Sequence, residues 1–419
     1  MTEIPFDLAL QRGLGRAVLM LREQGIGVQY RKAIQYACRN NLAYSSYESV
    51  RDAYLVDVLE ASGDLEWHLP RLRKALWKPE LYFDQLAMIC ARLTQSGQAD
   101  FRDELYASWK KRVTTLDDEV RFDGADALLW LDGVVGWQFV QKEALANPPS
   151  DEEYWRDWCF YGDLVEKVGP RAARHAGDSD PALRAVIARI LKEKWDTRHK
   201  KPSPPPAPPP TEAEIRGLLG NPAARVRLAG MGREAPDSVI LSLATTIPTE
   251  KEALRGWLRI FWQRLYPLDP APLLNLLEHP DSQVSWWALK AVKQIQHPDV
   301  RAFAEQIVSS QSPLRVEVCR LLSNNPGPND ADLLEQVWES LTDEDEVHDL
   351  GFGFSEYAEA NPEKTPIWLG IALYENCPCS LCRGSFARWL VKRGVAPDWL
   401  LAELAWDSEE DTRAYSASS

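Results

Sequence analysis

The sequence predicts an all-α protein, an α-solenoid of antiparallel helix pairs. Leu, Ala, Glu, Arg and Trp recur at three- and four-residue spacing, and few segments show the alternation of Val, Ile and Thr that is typical of strands. In the second half of the chain, an apolar residue opens a helical run every 28 to 35 residues, and Arg follows it in four of seven copies. Such a period is typical of helical repeats. The keyed positions are Val226, Leu254, Val284, Val316, Val347, Cys382 and Thr412.

Several of these copies are preceded by a turn signal, in which Pro or Ser follows a polar residue or Cys. The turns are Asn221-Pro222, His279-Pro280, Ser312-Pro313, Cys377-Pro378 and Asp407-Ser408. One core between repeats must be supplied by the same helix face in each unit. We therefore expect equivalent buried positions for Val226, Leu254, Val284, Val316, Val347 and Cys382.

The N-terminal part is also predicted to be helical, with weaker repeat character. Amphipathic runs with capping or turn residues at their ends occupy residues 30–38, 50–59, 81–93, 101–113, 124–140 and 180–191. We therefore expect helical hairpins on both sides of the chain's clearest boundary, which is rich in proline.

Residues 197–212 form a predicted linker that is both basic and Pro-rich. Seven prolines in the nine residues 202–210 exclude a helix and favour an extended polyproline spacer. A ligand for a proline-recognising domain is the alternative. The predicted organisation is an N-terminal helical domain at 1–196, the linker at 197–212 and a repeat domain at 213–419.

One unit shows the repeat most clearly. Residues 273–277 give a first helix, residues 278–281 a turn, and Val284 opens a second helix. This pattern resembles HEAT-like repeats, and its short step is similar to the compact units of phycobilisome-lyase-related proteins. The resemblance covers residues 213–419 and implies stacked helix pairs. Arg is missing from three of the seven keyed sites, and Thr412 replaces an apolar residue.

Composition and charge narrow the classes of partner. The net charge of −14 disfavours nucleic acid, whose binding rests on Lys and Arg neutralising phosphates. No apolar stretch approaches the length of a membrane span, and the first residues lack the pattern of a signal peptide. Seven scattered Cys fit a reducing compartment. We therefore predict a cytoplasmic protein with no membrane contact and no cofactor.

Three cysteines lie within six residues, at Cys377, Cys379 and Cys382. They could hold zinc if a fourth ligand came from elsewhere, or Cys379 and Cys382 could form a redox pair. However, Cys382 occupies a keyed position, where a free Cys packs as a small hydrophobe. The packing interpretation is favoured, and the metal and redox interpretations stay open.

Residues 321–363 contain twelve Asp or Glu and no Lys or Arg. The densest part holds Asp343, Glu344, Asp345, Glu346 and Asp349, and it lacks the spacing of an EF-hand. Such a surface would attract a basic partner and speed the encounter. A solvated turn whose acids favour the next helix N-terminus is the alternative. If the segment is a partner surface, we expect these five acids to contact the partner. We also expect no basic residue of the chain to neutralise them locally.

Trp286 and Trp287 are adjacent in the clearest repeat. Adjacent residues on a helix point about 100° apart, so one should pack between repeats and the other should approach the surface. An exposed Trp would be a binding hot spot. Core packing of both, with one at a subunit contact, is the alternative.

The predicted function is a non-catalytic scaffold or adaptor that binds another protein through an acidic surface. No nucleophile, base and orienting group are assembled by the sequence, and it contains no His-Glu dyad. An enzyme or cofactor-handling protein on a HEAT-like frame is one alternative. A structural subunit of a larger defence or regulatory complex is another.

Overall fold

The computed structural model describes residues 4–25, 27–45, 47–48, 50–78, 82–116, 122–148, 155–198 and 208–418. These residues form 26 α-helices, four short 3-10 helices and no strand, so the all-α prediction is confirmed. Residues 199–207, which make up most of the predicted linker, lie outside the described residues. Within the described ranges, no helix is both long and apolar enough to cross a membrane.

The chain divides into two compact units. Unit 1 comprises residues 1–202, 379–384 and 396–419, and unit 2 comprises residues 203–378 and 385–395. The predicted repeat domain at 213–419 therefore does not coincide with unit 2, because two of its segments pack with the N-terminal helices instead.

Unit 1 begins with twelve helices, which are α1 (Phe6–Arg12), α2 (Arg16–Gln24), α3 (Arg31–Arg39), α4 (Asp52–Ala61), α5 (Leu65–Ala75), α6 (Phe83–Gln95), α7 (Arg102–Thr115), α8 (Ala125–Asp132), α9 (Val134–Ala146), α10 (Trp155–Val168), α11 (Pro170–His175) and α12 (Pro181–Arg198). The even-numbered helices from α2 to α12 pack in series, each on the next. A second row contains the contacts α1–α3, α3–α5 and α7–α9. The buried Trp109 and Trp137 are among the largest side chains in this core.

Unit 2 contains α13 (Glu212–Leu218), α14 (Arg225–Glu234), α15 (Asp237–Ala244), α16 (Lys251–Ile260), α17 (Ala271–Leu277), α18 (Ser282–Val292), α19 (Pro298–Ser309), α20 (Val318–Leu322), α21 (Asp330–Glu339), α22 (Glu344–Ala360) and α23 (Ile367–Asn376). Helices α14, α16 and α18 pack in series, as do α20 and α22. The contacts α13–α15, α17–α19 and α19–α21 form a second row.

Ion pairs in unit 2 join α16 to the cap of α18, α19 to α21, and the turn before α20 to α22, at a similar sequence distance. The Arg255 side chain donates to Asp281, 26 residues later, with Nε 3.0 Å from Oδ1. Arg301 donates to Asp330, 29 residues later, at 2.7 Å. Arg315 donates to both carboxylate oxygens of Glu346, 31 residues later, at 2.8 Å. The similar spacing indicates that corresponding parts of neighbouring helix pairs face each other.

The keyed positions are only partly buried. Leu254, Val284, Val316 and Cys382 are buried, and Val347 is half-buried. Val226 was predicted to be buried and is 84% exposed, so that prediction is wrong. Ala224 and Leu228 are buried in its place. The 3-10 turn Pro222–Ala224 sets this register by directing Ala224 inward, and Val226 then lies on the outer side of α14.

The C-terminal segments complete unit 1 through α24 (Ser380–Lys392), α25 (Asp398–Leu404) and α26 (Glu410–Arg413). The first turn of α24 belongs to unit 1 and the rest to unit 2, where Phe386 contacts Phe354. In unit 1, the fully buried Arg383 pairs with the fully buried Asp407 at 3.4 Å, and Arg16 pairs with Glu403. Arg16 lies on α2 and Glu403 on α25, so their buried pair joins the C-terminal residues to the N-terminal helices, and Arg383 also donates to Gly13 O at 3.4 Å.

The backbones of the N-terminal helices and the C-terminal segment also come close together. Ser408 N donates to Gly13 O at 2.9 Å, and Gly13 adopts a left-handed conformation with φ of 72°. A Cβ on Gly15 would lie 1.9 Å from the Glu403 carbonyl oxygen. Only glycine leaves room for the backbones to meet there.

Candidate functional site

The two adjacent tryptophans lie on α18, a helix that begins in a well-formed cap. The Asp281 side chain accepts a hydrogen bond from Val284 N at 3.1 Å, and Val284 and Ala288 face the core. This orientation leaves Trp286 40% exposed and Trp287 half-buried. The cap and the core residues therefore determine which of the two indoles reaches solvent.

Trp287 connects α18 to the end of α16. The Arg259 guanidinium lies over the Trp287 ring, 4.1 Å from its centroid. Trp262 meets Trp287 edge to face, with 5.6 Å between ring centroids, and is itself 42% exposed. The indole of Trp287 thus has a cation on one side and an exposed indole at its edge.

Trp286 connects α18 to α20 and α22. The Lys290 ammonium lies 4.2 Å from the Trp286 ring centroid, and the Arg320 guanidinium lies 5.8 Å from it. Arg320 is also 5.8 Å from the ring of Phe352, which is 49% exposed. These contacts join four helices into one surface of unit 2.

We call this surface the aromatic–cation face. Its members are aromatic side chains and the cations that contact them, namely Arg259, Trp262, Trp286, Trp287, Lys290, Arg320 and Phe352. Sequence reasoning found only its two adjacent tryptophans. The spacing of Lys290 four residues after Trp286 was an available signal, since residues four apart are neighbours on a helix.

Two cations of the face have no carboxylate partner. Neither Arg259 nor Lys290 forms an ion pair within the described part of the chain. Desolvation and the neighbouring Arg225 lower the pKa of Arg259. Desolvation, Lys293 and Arg320 lower the pKa of Lys290, whereas Glu356 and Glu317 act to raise it. Both cations therefore lie where further positive charge is unfavourable.

Two polar donors at the same place are also unsatisfied. Arg259 Nε and Trp287 Nε1 are buried atoms with no hydrogen-bond partner among the described residues. Both groups can only donate, so each would gain from an acceptor. Buried donors are usually paired in folded proteins, although Trp109 Nε1 and Trp137 Nε1 also lack a partner among the described residues.

Arg320 differs from these two cations because it has an internal partner. It donates to Glu317, which lies one turn earlier. Desolvation raises the pKa of Glu317 although Arg320 lowers it. Arg320 is thus a fixed part of the face, and its charge is largely offset.

The acidic segment is placed at the start of α22. Asp343 is the N-cap residue, and its side chain accepts from Glu346 N at 2.9 Å. Glu346 accepts from Arg315 and also from Thr342 N at 2.9 Å. Two of the five predicted binding acids therefore hold the helix start in place, and the expectation that they lack a local counter-ion is wrong for Glu346.

The other three acids leave a smaller acidic surface. Asp345 and Asp349 are exposed, and Glu344 is half-buried. Desolvation raises the pKa of Asp349, with Asp345 and Asp343 adding to the rise and Arg320 opposing it. Because Arg320 also contacts Trp286, it lies between the two groups of predicted binding residues and brings them onto one side of unit 2.

Other chemical groups lie elsewhere. Cys377, Cys379 and Cys382 are all buried, which is consistent with the packing interpretation. The hypothesis that they hold a metal stays a prediction. In unit 2, Asp269, His297 and Asp299 bring three potential ligand atoms within 4.8 Å of one another. His297 Nδ1 already accepts from Asp299 N at 3.2 Å, as a helix cap.

A cavity of about 270 Å³ lies in unit 1 beside α5 and α7. Its lining includes Trp77, Lys78, Lys111 and Arg112. Sequence reasoning found neither this cavity nor the Asp269 group, because their members come from segments about 30 residues apart that carry no shared motif.

Comparison with protein-family models, with curated proteins and with solved structures found no match for this chain. The site must therefore be interpreted from its own geometry.

Proposed function

We propose that this chain is a non-catalytic binding protein, a scaffold or adaptor that recognises another protein through one surface of unit 2. The surface consists of the aromatic–cation face and the exposed acids Asp345 and Asp349. The observation that carries the proposal is the position of Arg320, which contacts Trp286 and Phe352 and acts electrostatically on Asp349.

Partly exposed aromatic side chains support a protein partner. Trp262, Trp286 and Phe352 each leave between 40% and 49% of their surface exposed. Tryptophan is enriched at binding hot spots because it buries a large apolar area with few rotatable bonds. Cations stacked on the rings restrict these side chains before a partner arrives, which lowers the entropy lost on binding.

We further propose that the helices are stacked hairpins of the HEAT-like type. Packing of each helix on the next but one supports this, as do the ion pairs that join residues 26 to 31 apart. In a stack of hairpins, equivalent faces of successive helices line up, and side chains from α16, α18, α20 and α22 can form one binding surface.

Charge reversal tests the proposal. The native protein, immobilised, should retain a partner from native lysate, and that partner should then be purified and its affinity measured. The Asp345→Lys/Asp349→Lys variant should bind it more slowly, because the acids attract a basic surface. Trp286→Ala should weaken it mainly through faster dissociation.

A matched control is available in the same acidic segment. Asp332 and Glu335 are exposed on α21, which packs in the other row of helices. Asp332→Lys/Glu335→Lys makes the same change of charge and should leave the affinity nearly intact. If the control and the test variant weaken binding equally, or if neither Trp286→Ala nor the acid reversal alters it, the proposed surface is wrong.

A further inference from the structure

The unpaired cations of unit 2 indicate the chemistry of the partner. We propose that the aromatic–cation face binds an acidic peptide segment of a partner protein, in which carboxylates flank an apolar or aromatic residue. This inference rests on the proposed function and specifies the ligand of that surface.

The aromatic–cation face has more hydrogen-bond donors than acceptors. Arg259 and Lys290 have no carboxylate partner in the described ranges, while Arg259 Nε and Trp287 Nε1 have no acceptor. The same unit pairs Arg255, Arg301 and Arg315 with carboxylates across neighbouring helices. On this face, Arg320 is paired with Glu317, whereas Arg259 and Lys290 have no ion pair among the described residues.

Arg259 and Lys290 each lie against an indole ring. Arg259 is 4.1 Å from the centroid of Trp287 and Lys290 is 4.2 Å from that of Trp286. Stacking positions the charged groups without neutralising them, so a carboxylate can still bind to their open side. The exposed parts of Trp262 and Trp286 then offer apolar contact for a side chain next to that carboxylate.

The charge of the chain and of the residues around the face favours a short acidic segment over nucleic acid. The chain has a net charge of −14, which repels a long polyanion. Acids also flank the face, since Glu317 pairs with Arg320 and Glu356 pairs with Lys293 at 2.6 Å. Only Arg259 and Lys290 are left to compensate anionic charge, which suits a few carboxylates better than a phosphate backbone.

The face also implies that the partner carries both signs of charge. Asp345 and Asp349 would attract basic groups, whereas Arg259 and Lys290 would attract acidic ones. A partner with acidic and basic groups side by side matches this arrangement in one orientation only. The opposite orientation would bring like charges together at both ends, so the charge pattern would determine the binding orientation.

A purified-component experiment tests the inference. The probe is a synthetic, end-blocked peptide with Glu and Asp on both sides of one Phe, and its affinity for the full-length protein is measured by fluorescence anisotropy. We expect binding that weakens as salt rises. Removal of both unpaired cations, in Arg259→Gln/Lys290→Gln, should weaken it about tenfold or more, which corresponds to about 1.4 kcal/mol for the two contacts together.

The control variant is Arg227→Gln/Lys364→Gln. It removes one Arg and one Lys that are exposed in the same unit and do not belong to the face. It should leave the peptide affinity within about twofold, since exposed charges away from a contact contribute little. A peptide with Gln in place of every acid should bind poorly to the native protein.

Four outcomes would overturn the inference. They are no binding of the acidic peptide, equal weakening by the test and control variants, tighter binding of a single-stranded oligodeoxythymidine that the test variant also abolishes, and concentration-dependent self-association that the test variant abolishes. A partner whose affinity still depends on Asp345, Asp349 and Trp286 would leave the proposed function standing in the first two cases. The failure of the acidic-peptide assignment is therefore distinguishable from the failure of the binding surface.

Discussion

Arginine and lysine serve two different ends in the two units. In unit 1, Arg383 and Asp407 are both fully buried and face each other at 3.4 Å, and the pairs Arg16–Glu403 and Arg51–Glu48 are also largely buried. On the aromatic–cation face of unit 2, Arg259 and Lys290 contact indole rings and have no carboxylate partner in the described ranges. We infer from this difference that a cation paired with a carboxylate of the same chain stabilises the fold, whereas Arg259 and Lys290 are available for binding.

The energetic consequence follows from burial. An exposed ion pair contributes about 0 to 1 kcal/mol, whereas breaking a buried pair costs about 3 to 5 kcal/mol because one charge stays desolvated and unpaired. Substitutions in the buried Arg383–Asp407 pair should therefore lower stability, and substitutions on the aromatic–cation face should weaken binding.

The largest effect is expected from Asp407→Ala. It leaves the Arg383 guanidinium buried without its carboxylate, and Gly13 O remains as an acceptor for it at 3.4 Å. We expect the free energy of unfolding to fall by about 3 to 5 kcal/mol in a urea titration followed by circular dichroism.

The double variant Arg383→Met/Asp407→Leu provides the control. It removes both charges and should recover much of the loss, since an apolar pair of similar volume often replaces a buried ion pair at little cost. A loss below about 1 kcal/mol in the single variant would mean that water reaches the Arg383–Asp407 pair. The contrast between this pair, which acts on stability, and the cations of the face, which act on binding, would then be wrong.

A second stability effect in unit 1 depends on pH. His68 is fully buried, its Nδ1 lies 2.9 Å from Gln35 Nε2, and desolvation lowers its pKa to about 4. The unfolded chain binds a proton near pH 6.5, while the folded chain does so only near pH 4. Stability should therefore fall as the pH is lowered through that window, by up to about 3 kcal/mol in total.

His68→Gln should reduce this slope. The measurement is the free energy of unfolding of native protein and variant at several pH values between these limits, and the difference between the two should shrink as the pH falls. An unchanged slope would show that carboxylates whose pKa is lowered in the folded protein, such as Glu48, set the pH dependence instead.

Within the acidic helix start of unit 2, two neighbouring acids should behave differently. Glu346→Gln weakens the contact to Arg315, which is largely buried, and should cost about 1 to 2 kcal/mol. Asp349→Asn should leave stability unchanged or slightly raised, because the folded state raises the pKa of Asp349 and thus disfavours its charged form at neutral pH. Equal losses in thermal unfolding would mean that both acids are paired internally.

The helical class and several core positions were accessible from the sequence because they depend on local periodicity. Leu254 and Val284 are buried at the predicted places, since α16 and α18 each carry an apolar stripe. Val226 failed because periodicity alone does not distinguish it from Ala224 two residues earlier. The cap at Asp343 was also readable, because Asp followed three residues later by Glu is a capping pattern.

Contacts between distant segments could not be predicted in this way. The Asp407-Ser408 turn was assigned to a repeat, yet Ser408 N binds Gly13 O and Asp407 pairs with Arg383. No local pattern encodes a contact across nearly four hundred residues. The face is a similar case, because Arg259, Lys290 and Arg320 lie on three helices and only packing brings their charges next to the two tryptophans.

Among the variants expected to lose stability, Trp286→Ala should lose the least, and it tests whether the face is exposed surface or part of the core. Trp286 is 40% exposed, and its neighbours Lys290 and Arg320 can be hydrated when the indole is removed. We expect a loss of about 1 kcal/mol or less in a urea titration. Trp257→Ala is the matched control, since Trp257 is fully buried on α16 and its Nε1 donates to Leu243 O at 2.8 Å. That variant should lose about 3 to 5 kcal/mol. If the two losses were equal, Trp286 would be part of the core, and its 40% exposure would not mark a surface that is open to a partner.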